Sequence, residues 1–253
     1  MRGIGYRGGA SATVFGVSGR ASGFLLVAAV LLCAHPVSAV AADNTASALE
    51  AAGWSESSPG LLMSLPSRTA DIREAGIGGD FVLAPGTALL WERRFRDASG
   101  SGTSLEIEMY SDGANVSSED YRKKRASFPV SVTAVFGRDS LDLPPGRRVL
   151  NLFVSIWRAF RPGGIRLTYA AGNVAPAGSM YRTSDDETVF ILAGDDDRGK
   201  RIAARRDLAA DFRAAYGRDP RGPVTRLVVR AGRPSREKET IKAGIRLAFP
   251  GKR

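Results

Sequence analysis

The chain has 253 residues and a net charge of +10, with a single histidine, His35, and a single cysteine, Cys33. Both lie in an amino-terminal segment with the features of a secretory leader, so the processed chain would contain neither residue type. This composition excludes zinc sites built on His or Cys, Ser-His-Asp and Cys-His nucleophiles, haem attachment through cysteine, and disulfides after processing.

Residues 1–41 are typical of a signal peptide. Arginines without any acid precede an apolar core from Gly23 to Ala34, and small residues before Ala41 offer cleavage sites. The alternative is an uncleaved anchor, but a His-Pro pair interrupts the apolar run, which is shorter than the ~20 residues that span a bilayer. Lipidation of Cys33 is disfavoured because Leu32 precedes it. We therefore expect a periplasmic or secreted protein without stable membrane insertion.

The rest of the chain fits one domain, whose core is large enough to be stable without disulfides. We expect residues 42–80 to form an N-terminal segment that packs on the domain, and residues 81–253 to form a β-sandwich domain. Without the leader the net charge is about +7. The basic residues are scattered and lack the aromatic interleaving of nucleic-acid-binding surfaces, so nucleic acid is not expected as a partner. An anionic envelope polymer is compatible with this charge.

Alternation of apolar and polar residues predicts six to eight short strands. The clearest runs from Leu105 to Tyr110, where three apolar residues alternate with two glutamates and a tyrosine. Val189–Ala193 is a continuous apolar run and is predicted to be a strand buried on both faces. The other predicted strands are Phe81–Leu83, Ala88–Phe95, Pro129–Phe136, Ile165–Tyr169, Leu227–Val229 and Ile245–Phe249. So many short strands in a single domain predict a mainly β protein, arranged as a sandwich.

Two segments show helical spacing instead. Apolar residues recur at the spacing of one helix face in Pro145–Phe160, and again in Asp207–Tyr216, where Asp207 is placed to cap the helix and Gly217 to end it. Each helix is expected to connect the two sheets or to cover an open edge. The alanine-rich segment Ala46–Gly53 is expected to pack loosely.

The carboxyl-terminal part, about Thr103 to Phe249, carries a family resemblance. The segments that carry it, in order, are Ile165–Tyr169, a loop through Met180–Arg182, Thr188–Gly194, Ala204–Phe212, Ala215–Gly217 and Val224–Val229. The chain is similar to exported bacterial proteins catalogued as domain of unknown function three-thousand-and-forty-seven. The resemblance implies a jelly-roll-like antiparallel β-sandwich, galactose-binding-like, with two short helices, and it implies no activity. The chain departs from the family at Arg230–Arg236, where an aspartate-rich turn is usual.

One acidic loop is a candidate metal site. Asp195, Asp196 and Asp197 follow a predicted strand and could offer two carboxylates and a carbonyl to Ca²⁺. The same residues are equally typical of a hairpin turn, since Asp and Gly favour turns. Calcium is therefore the one cofactor that the sequence raises, and no other is expected.

Aromatic residues supply the candidate ligand site. Tyr110 ends a predicted strand, and Tyr181 and Arg182 lie in a predicted loop. Exposed aromatic rings flanked by hydrogen-bonding side chains are typical of sugar-binding sandwiches, so these three residues are the candidate ligand contacts.

Catalytic candidates are weaker. Glu106 and Glu108 lie two apart on one strand face, which places their carboxyls about 7 Å apart, within the range of an inverting glycosidase pair. The ordinary solvent face of a strand has the same pattern. Ser235 and Lys238 have the spacing of a Ser-Lys dyad but lie in a charged loop. We assign no catalytic residue.

Two functions therefore remain. The favoured hypothesis is a non-catalytic exported β-sandwich that binds an envelope or extracellular ligand, with carbohydrate suggested by the fold class alone. The alternative is a hydrolase that acts on glycans or esters through carboxylates or a serine. A structural partner of another envelope protein is a third hypothesis, and it would require a sizeable flat apolar patch.

Overall fold

The computed structural model describes residues 39–58, 63–73, 76–95, 104–115, 127–137, 164–172 and 175–249. The chain from Ala41 onward forms one compact unit. Residues 1–38 of the predicted signal peptide and the predicted helix Pro145–Phe160 lie outside the described residues. Within the described ranges no helix combines the length and the apolar character needed to cross a membrane.

The described residues form twelve strands and two α-helices. In chain order the elements are α1 (Ala39–Ala51), β1 (Trp54–Ser57), β2 (Ser67–Arg73), β3 (Gly76–Leu83), β4 (Thr87–Arg94), β5 (Ser104–Ser111), β6 (Val130–Phe136), β7 (Ile165–Ala171), β8 (Met180–Ser184), β9 (Glu187–Ala193), β10 (Ile202–Asp207), α2 (Leu208–Tyr216), β11 (Val224–Arg233) and β12 (Ile241–Ala248). A mainly β fold with two short helices is confirmed.

The strands form two sheets. A seven-stranded sheet has the order β1-β4-β11-β6-β7-β9-β8, and a five-stranded sheet has the order β10-β5-β12-β3-β2. Four antiparallel strand pairs, taken in chain order of their first strands, lie in the smaller and the larger sheet in turn. The pairs β3–β12 and β5–β10 lie in the smaller sheet, and β4–β11 and β6–β7 lie in the larger one. Such nested pairs, wound between two sheets, make a jelly roll, which confirms the expected sandwich. One pair departs from the antiparallel pattern, because β9 joins β7 in parallel.

The core lies between the sheets. Leu105, Ile107 and Met109 of β5 are all buried there, as the alternation predicted. Burying one face of each strand in this way is the main favourable term that holds the two sheets together. Trp54 and Leu49 are also fully buried, so the prediction that Ala46–Gly53 packs loosely is wrong: most of the segment belongs to α1, which contributes to the core.

Four strands escaped the sequence pattern, namely β1, β2, β8 and β10. The predicted loop through Met180–Arg182 is wrong, because these residues form β8 at the edge of the larger sheet. The prediction failed because β8 is an edge strand in which no residue is fully buried, so it has no apolar alternation to detect.

The helix α2 agrees with its prediction. The Asp207 carboxylate accepts hydrogen bonds from the backbone N–H groups of Ala209 and Ala210, at 2.9 and 3.1 Å. Gly217 ends the helix with φ of 69°, a left-handed conformation that glycine adopts without strain. As expected, α2 connects the sheets, since it follows β10 of the smaller one and precedes β11 of the larger.

The outer faces of the two sheets differ in exposure. On the larger sheet, Arg166 and Thr168 point away from the core, yet both are buried, as are Ser131 and Val135 on the adjacent strand. On the smaller sheet the outward side chains of β5 and β10 are exposed or half-buried. We call this second surface the open face.

Candidate functional site

The open face carries a groove with a floor of small residues. The floor is formed by Gly76 and Gly78 of β3, Ala203 of β10 and Ala248 of β12, and it bounds a cavity of about 550 Å³. Side chains that flank this floor are Asp71, Glu106, Glu108, Arg205 and Arg246. Because alternate residues of a strand point to one face, four strands contribute polar side chains around a strip without bulky ones.

Gly78 shows why the floor must be small. Gly78 pairs with Arg246 in the register, and a Cβ added at Gly78 would lie 3.1 Å from Cγ of Arg246 and 3.6 Å from Cβ of Asp71. The aliphatic stem of Arg246 therefore lies against the glycine, which leaves the guanidinium at the side of the groove.

Glu108 lies at the centre of a charge network. Its Oε1 accepts hydrogen bonds from Nη1 of Arg246 at 2.7 Å and from Nη1 of Arg201 at 3.2 Å. Nη2 of Arg201 also donates to Oδ1 of Asp80 at 2.8 Å. All four side chains are partly exposed, so the network lies at the surface of the groove and not beneath it.

Glu106 and Arg205 provide unpaired polar groups. They are direct partners in the β5–β10 register, and both are exposed. Within the described ranges neither side chain has a hydrogen bond or an ion pair. A carboxylate that accepts hydrogen bonds and a guanidinium that donates them are therefore available to a ligand at this end of the groove.

Tyr110 lies farther along the same face. A Cβ added at Gly244 would lie 2.4 Å from Cε1 of Tyr110 and 2.5 Å from Oδ1 of Asp80, so only glycine leaves room for these two side chains to meet across β12. The guanidinium of Arg201 lies 4.4 Å from the centre of the Tyr110 ring. Partial burial, together with the charge of Asp80 and a hydrogen bond to it, raises the pKa of Tyr110 above its ordinary value. The hydroxyl therefore remains a hydrogen-bond donor at neutral pH.

The other two candidate ligand residues lie on the larger sheet. Tyr181 of β8 packs against the small apolar cluster of Ala170, Val189 and Ile191. The guanidinium of its neighbour Arg182 lies 5.0 Å from the centre of the Tyr216 ring. Tyr110 belongs to the smaller sheet, so the three predicted ligand residues do not share one sheet face.

The three consecutive aspartates form a 3₁₀ turn. Asp195 pairs with Arg198 at 2.5 Å, Oδ2 of Asp197 accepts from the backbone N–H of Gly194 at 3.1 Å, and Nζ of Lys200 donates to the carbonyl of Asp196 at 3.0 Å. In the part of the chain that the structure describes, no three His, Cys, Asp or Glu residues are grouped to hold a metal ion. The turn is not a hairpin, because β9 and β10 belong to different sheets. Calcium binding stays a prediction.

Sequence reasoning found Glu106, Glu108 and Tyr110 but missed the rest of the groove. Arg201 and Asp80 meet although 121 residues separate them. The alternating glycines Gly76 and Gly78 were the available signal, because glycine in a strand interior often marks close approach of another group.

Comparison with known proteins identifies distant structural likenesses only. No protein-family model and no curated protein matches the chain. Among solved structures it is similar to the catalytic domain of Humicola grisea Cel12A, in complex with a soaked thio cellotetraose. The identity is 10%, with 78% of this chain and 92% of that chain covered and a TM-score of 0.40.

A second likeness is to the xyloglucanase domain of NopAA, a type three effector from Sinorhizobium fredii, in complex with cellobiose. Here the identity is 8%, with 78% of this chain and 90% of that chain covered and a TM-score of 0.35. These likenesses are too distant to carry an inference about activity, which is therefore argued from the groove itself.

Proposed function

We propose that the protein is a glycan-binding module that holds its ligand in the groove of the open face. The observation that carries the proposal is the groove itself: a strip of glycine and alanine, about 550 Å³ in volume, flanked by side chains that both donate and accept hydrogen bonds. Clefts that combine an apolar floor with a few polar groups are the usual form of small-ligand sites.

The charges around the groove favour a neutral saccharide. Three carboxylates, from Asp71, Glu106 and Glu108, line the groove together with two guanidinium groups, from Arg205 and Arg246. Sugar hydroxyls donate and accept at once, so they suit a lining that mixes both kinds of partner. A polyanion would meet the three carboxylates, which supports a neutral glycan over an anionic envelope polymer.

The test is calorimetric titration of residues 42–253 with a panel of cello-, xylo-, chito- and malto-oligosaccharides, from disaccharide to hexasaccharide. We expect at least one series to bind, and Ala203→Trp, which fills the groove floor, to abolish that binding. Ala214→Trp, at an exposed position of α2, is the matched control and should bind as the unmodified domain does. Absence of binding across the panel, or equal binding by Ala203→Trp, would overturn the proposal.

A hydrolase is the second candidate, because Glu106 and Glu108 line the same groove. One observation argues against hydrolysis. Oε1 of Glu108 already accepts hydrogen bonds from two arginines, whereas a glycosidase needs one carboxylic acid that can give a proton to the leaving oxygen. Release of reducing ends from polymeric glycans, lost in both Glu106→Gln and Glu108→Gln, would establish hydrolysis. Saccharide binding without such release would support the binding module and contradict the hydrolase.

Export belongs to the same proposal. The support is the arrangement of basic residues, apolar core and small residues in 1–41. Mass spectrometry of the protein from an envelope or culture fraction should find an amino terminus between Val40 and Asp43. Recovery of an intact Met1, or of a lipid on Cys33, would contradict export by a cleaved signal peptide. Membership of the domain family of unknown function is likewise a proposal, supported by the order and spacing of segments between Thr103 and Phe249, of which Arg206–Phe212 is the most specific.

A further inference from the structure

The open face carries a second, smaller cavity beside the groove. This cavity, of about 240 Å³, is lined by side chains that include Thr69, Asp80, Tyr110 and Lys242. In the strand register it lies one pleat along from the large cavity, because Tyr110 pairs with Gly244 while Glu108 pairs with Arg246. Both cavities therefore lie on the same surface, along the strand direction.

Arg201 lies between the two cavities. One of its guanidinium nitrogens donates to Glu108, which lines the large cavity, and the other donates to Asp80, which lines the small one. The same guanidinium lies against the ring of Tyr110, another residue of the small cavity. A ligand that extends from one cavity to the other must pass over this side chain.

The two cavities together have the length of an oligosaccharide. Ala248 marks one end on β12 and Lys242 the other, and six residues of extended strand span about 20 Å. Lys242, like Glu106 at the opposite end, is exposed, and within the described ranges its ammonium has no partner. Polar groups that are available to a ligand thus occur at both ends of the surface.

We propose that the two cavities are two subsites of one groove for an oligosaccharide, and that Arg201 is the residue that determines how strongly binding depends on saccharide length. The inference rests on the proposed glycan-binding function. Since exposed ion pairs stabilise little, the contacts of Arg201 with Glu108 and Asp80 can be exchanged for contacts with ligand hydroxyls at small cost.

The experiment uses the same panel from disaccharide to hexasaccharide, in whichever series binds. The unmodified domain should bind the hexasaccharide at least about tenfold more tightly than the disaccharide. Thr69→Trp, which fills the small cavity, should remove this gain, so that the hexasaccharide and the disaccharide bind with similar affinity. Arg201→Ala should weaken hexasaccharide binding about tenfold more than it weakens disaccharide binding, and Arg201→Lys should recover part of that difference.

Arg213→Ala is the matched control, since Arg213 is an exposed arginine paired with Asp219 on the helix α2 side and lines neither cavity. Thermal unfolding of every variant verifies that each is folded. Binding that does not change with length, or equal losses for short and long saccharides in Arg201→Ala, would overturn the two-subsite inference while leaving glycan binding intact. Failure of the whole panel to bind would instead overturn the proposed function.

Discussion

The outer faces of the two sheets differ most at β7 of the larger sheet. There the outward side chains are buried even where they are charged, as with Arg166, whose side chain is 7% exposed. On the smaller sheet the corresponding Arg246 is 43% exposed and borders a groove. The outward residues of alternating strands thus form a buried layer at β7 of the larger sheet, and a candidate binding surface on the smaller sheet.

The difference shows where function can be sought. A charge that has lost its water must be paired, and Arg166 is held by the carboxylates of Asp186 and Glu187 at 3.3 and 3.5 Å. A charge that keeps its water is free to exchange partners with a ligand. The ion pairs of Arg201 and Arg246 are of this second kind, so the polar groups of the open face are the ones available for recognition.

The largest expected effect tests this contrast directly. Arg166→Ala removes the buried guanidinium that pairs with both Asp186 and Glu187, and we expect the free energy of unfolding to fall by about 3 kcal/mol. Arg246→Ala removes a similar contact with Glu108 from the open face and should cost less than about 1 kcal/mol. Urea unfolding of both variants measures the difference. Equal losses would show that the two faces do not differ energetically.

The loss of stability at alkaline pH provides a second test of this contrast, because the tyrosines Tyr169 and Tyr110 differ in burial. Burial, followed by the charge of Asp211 and the hydrogen bond to it, raises the pKa of Tyr169 well above its ordinary value. The unfolded chain then loses the phenolic proton first as pH rises past about 10, so the folded state loses stability above that pH and keeps it below. This alkaline loss should be smaller in Tyr169→Phe than in the unmodified protein.

Tyr110→Phe is the matched control, because Tyr110 is less buried and its pKa is raised by the same causes to a lesser degree. Tyr169→Phe also removes the 2.7 Å hydrogen bond to Asp211, which should lower the free energy of unfolding at neutral pH by about 1 kcal/mol. Unfolding curves measured at neutral and alkaline pH separate the two effects. An alkaline loss that is unchanged in Tyr169→Phe would contradict the assignment.

The alternating strands that the sequence predicted best share one property. In β5 and β12 one face is buried and the residues alternate, so the period-two pattern reports the burial. In β8 and β10 the pattern fails, since both are edge strands with half-buried and exposed residues only. Hydrophobic alternation therefore detects strands whose side chains form the core, and it does not detect edge strands whose side chains are only partly buried.

The candidate site was predictable only in part, for a related reason. Glu106, Glu108 and Tyr110 lie on one strand, so their common face follows from local spacing. Arg201 and Arg246 reach Glu108 across 93 and 138 positions of the chain, and Asp80 meets Arg201 across 121. Local spacing contains no information about that pairing, and Gly244, which makes room for Tyr110, has no side chain to signal its role.

A smaller effect is expected where the two sheets are joined. Asp207→Ala removes the cap of α2 and should lower the free energy of unfolding by about 1 kcal/mol, because two backbone N–H groups lose their acceptor. Asp207→Asn retains a capping side chain and should recover most of it. Saccharide affinity should be unaffected in both variants. A loss of binding with an unchanged unfolding curve would instead assign Asp207 to the site.

The smallest effect on stability should accompany a large effect on binding. Glu106 is exposed and has no partner within the described ranges, so Glu106→Gln should change the free energy of unfolding by less than about 0.5 kcal/mol. Its carboxylate borders the groove, and a charged acceptor binds hydroxyls more strongly than an amide does. We therefore expect about tenfold weaker saccharide binding by calorimetry, whereas Glu50→Gln on α1, also exposed, should change neither quantity. If Glu106→Gln lowered stability and left affinity unchanged, the open face would be a structural surface like its counterpart on the larger sheet.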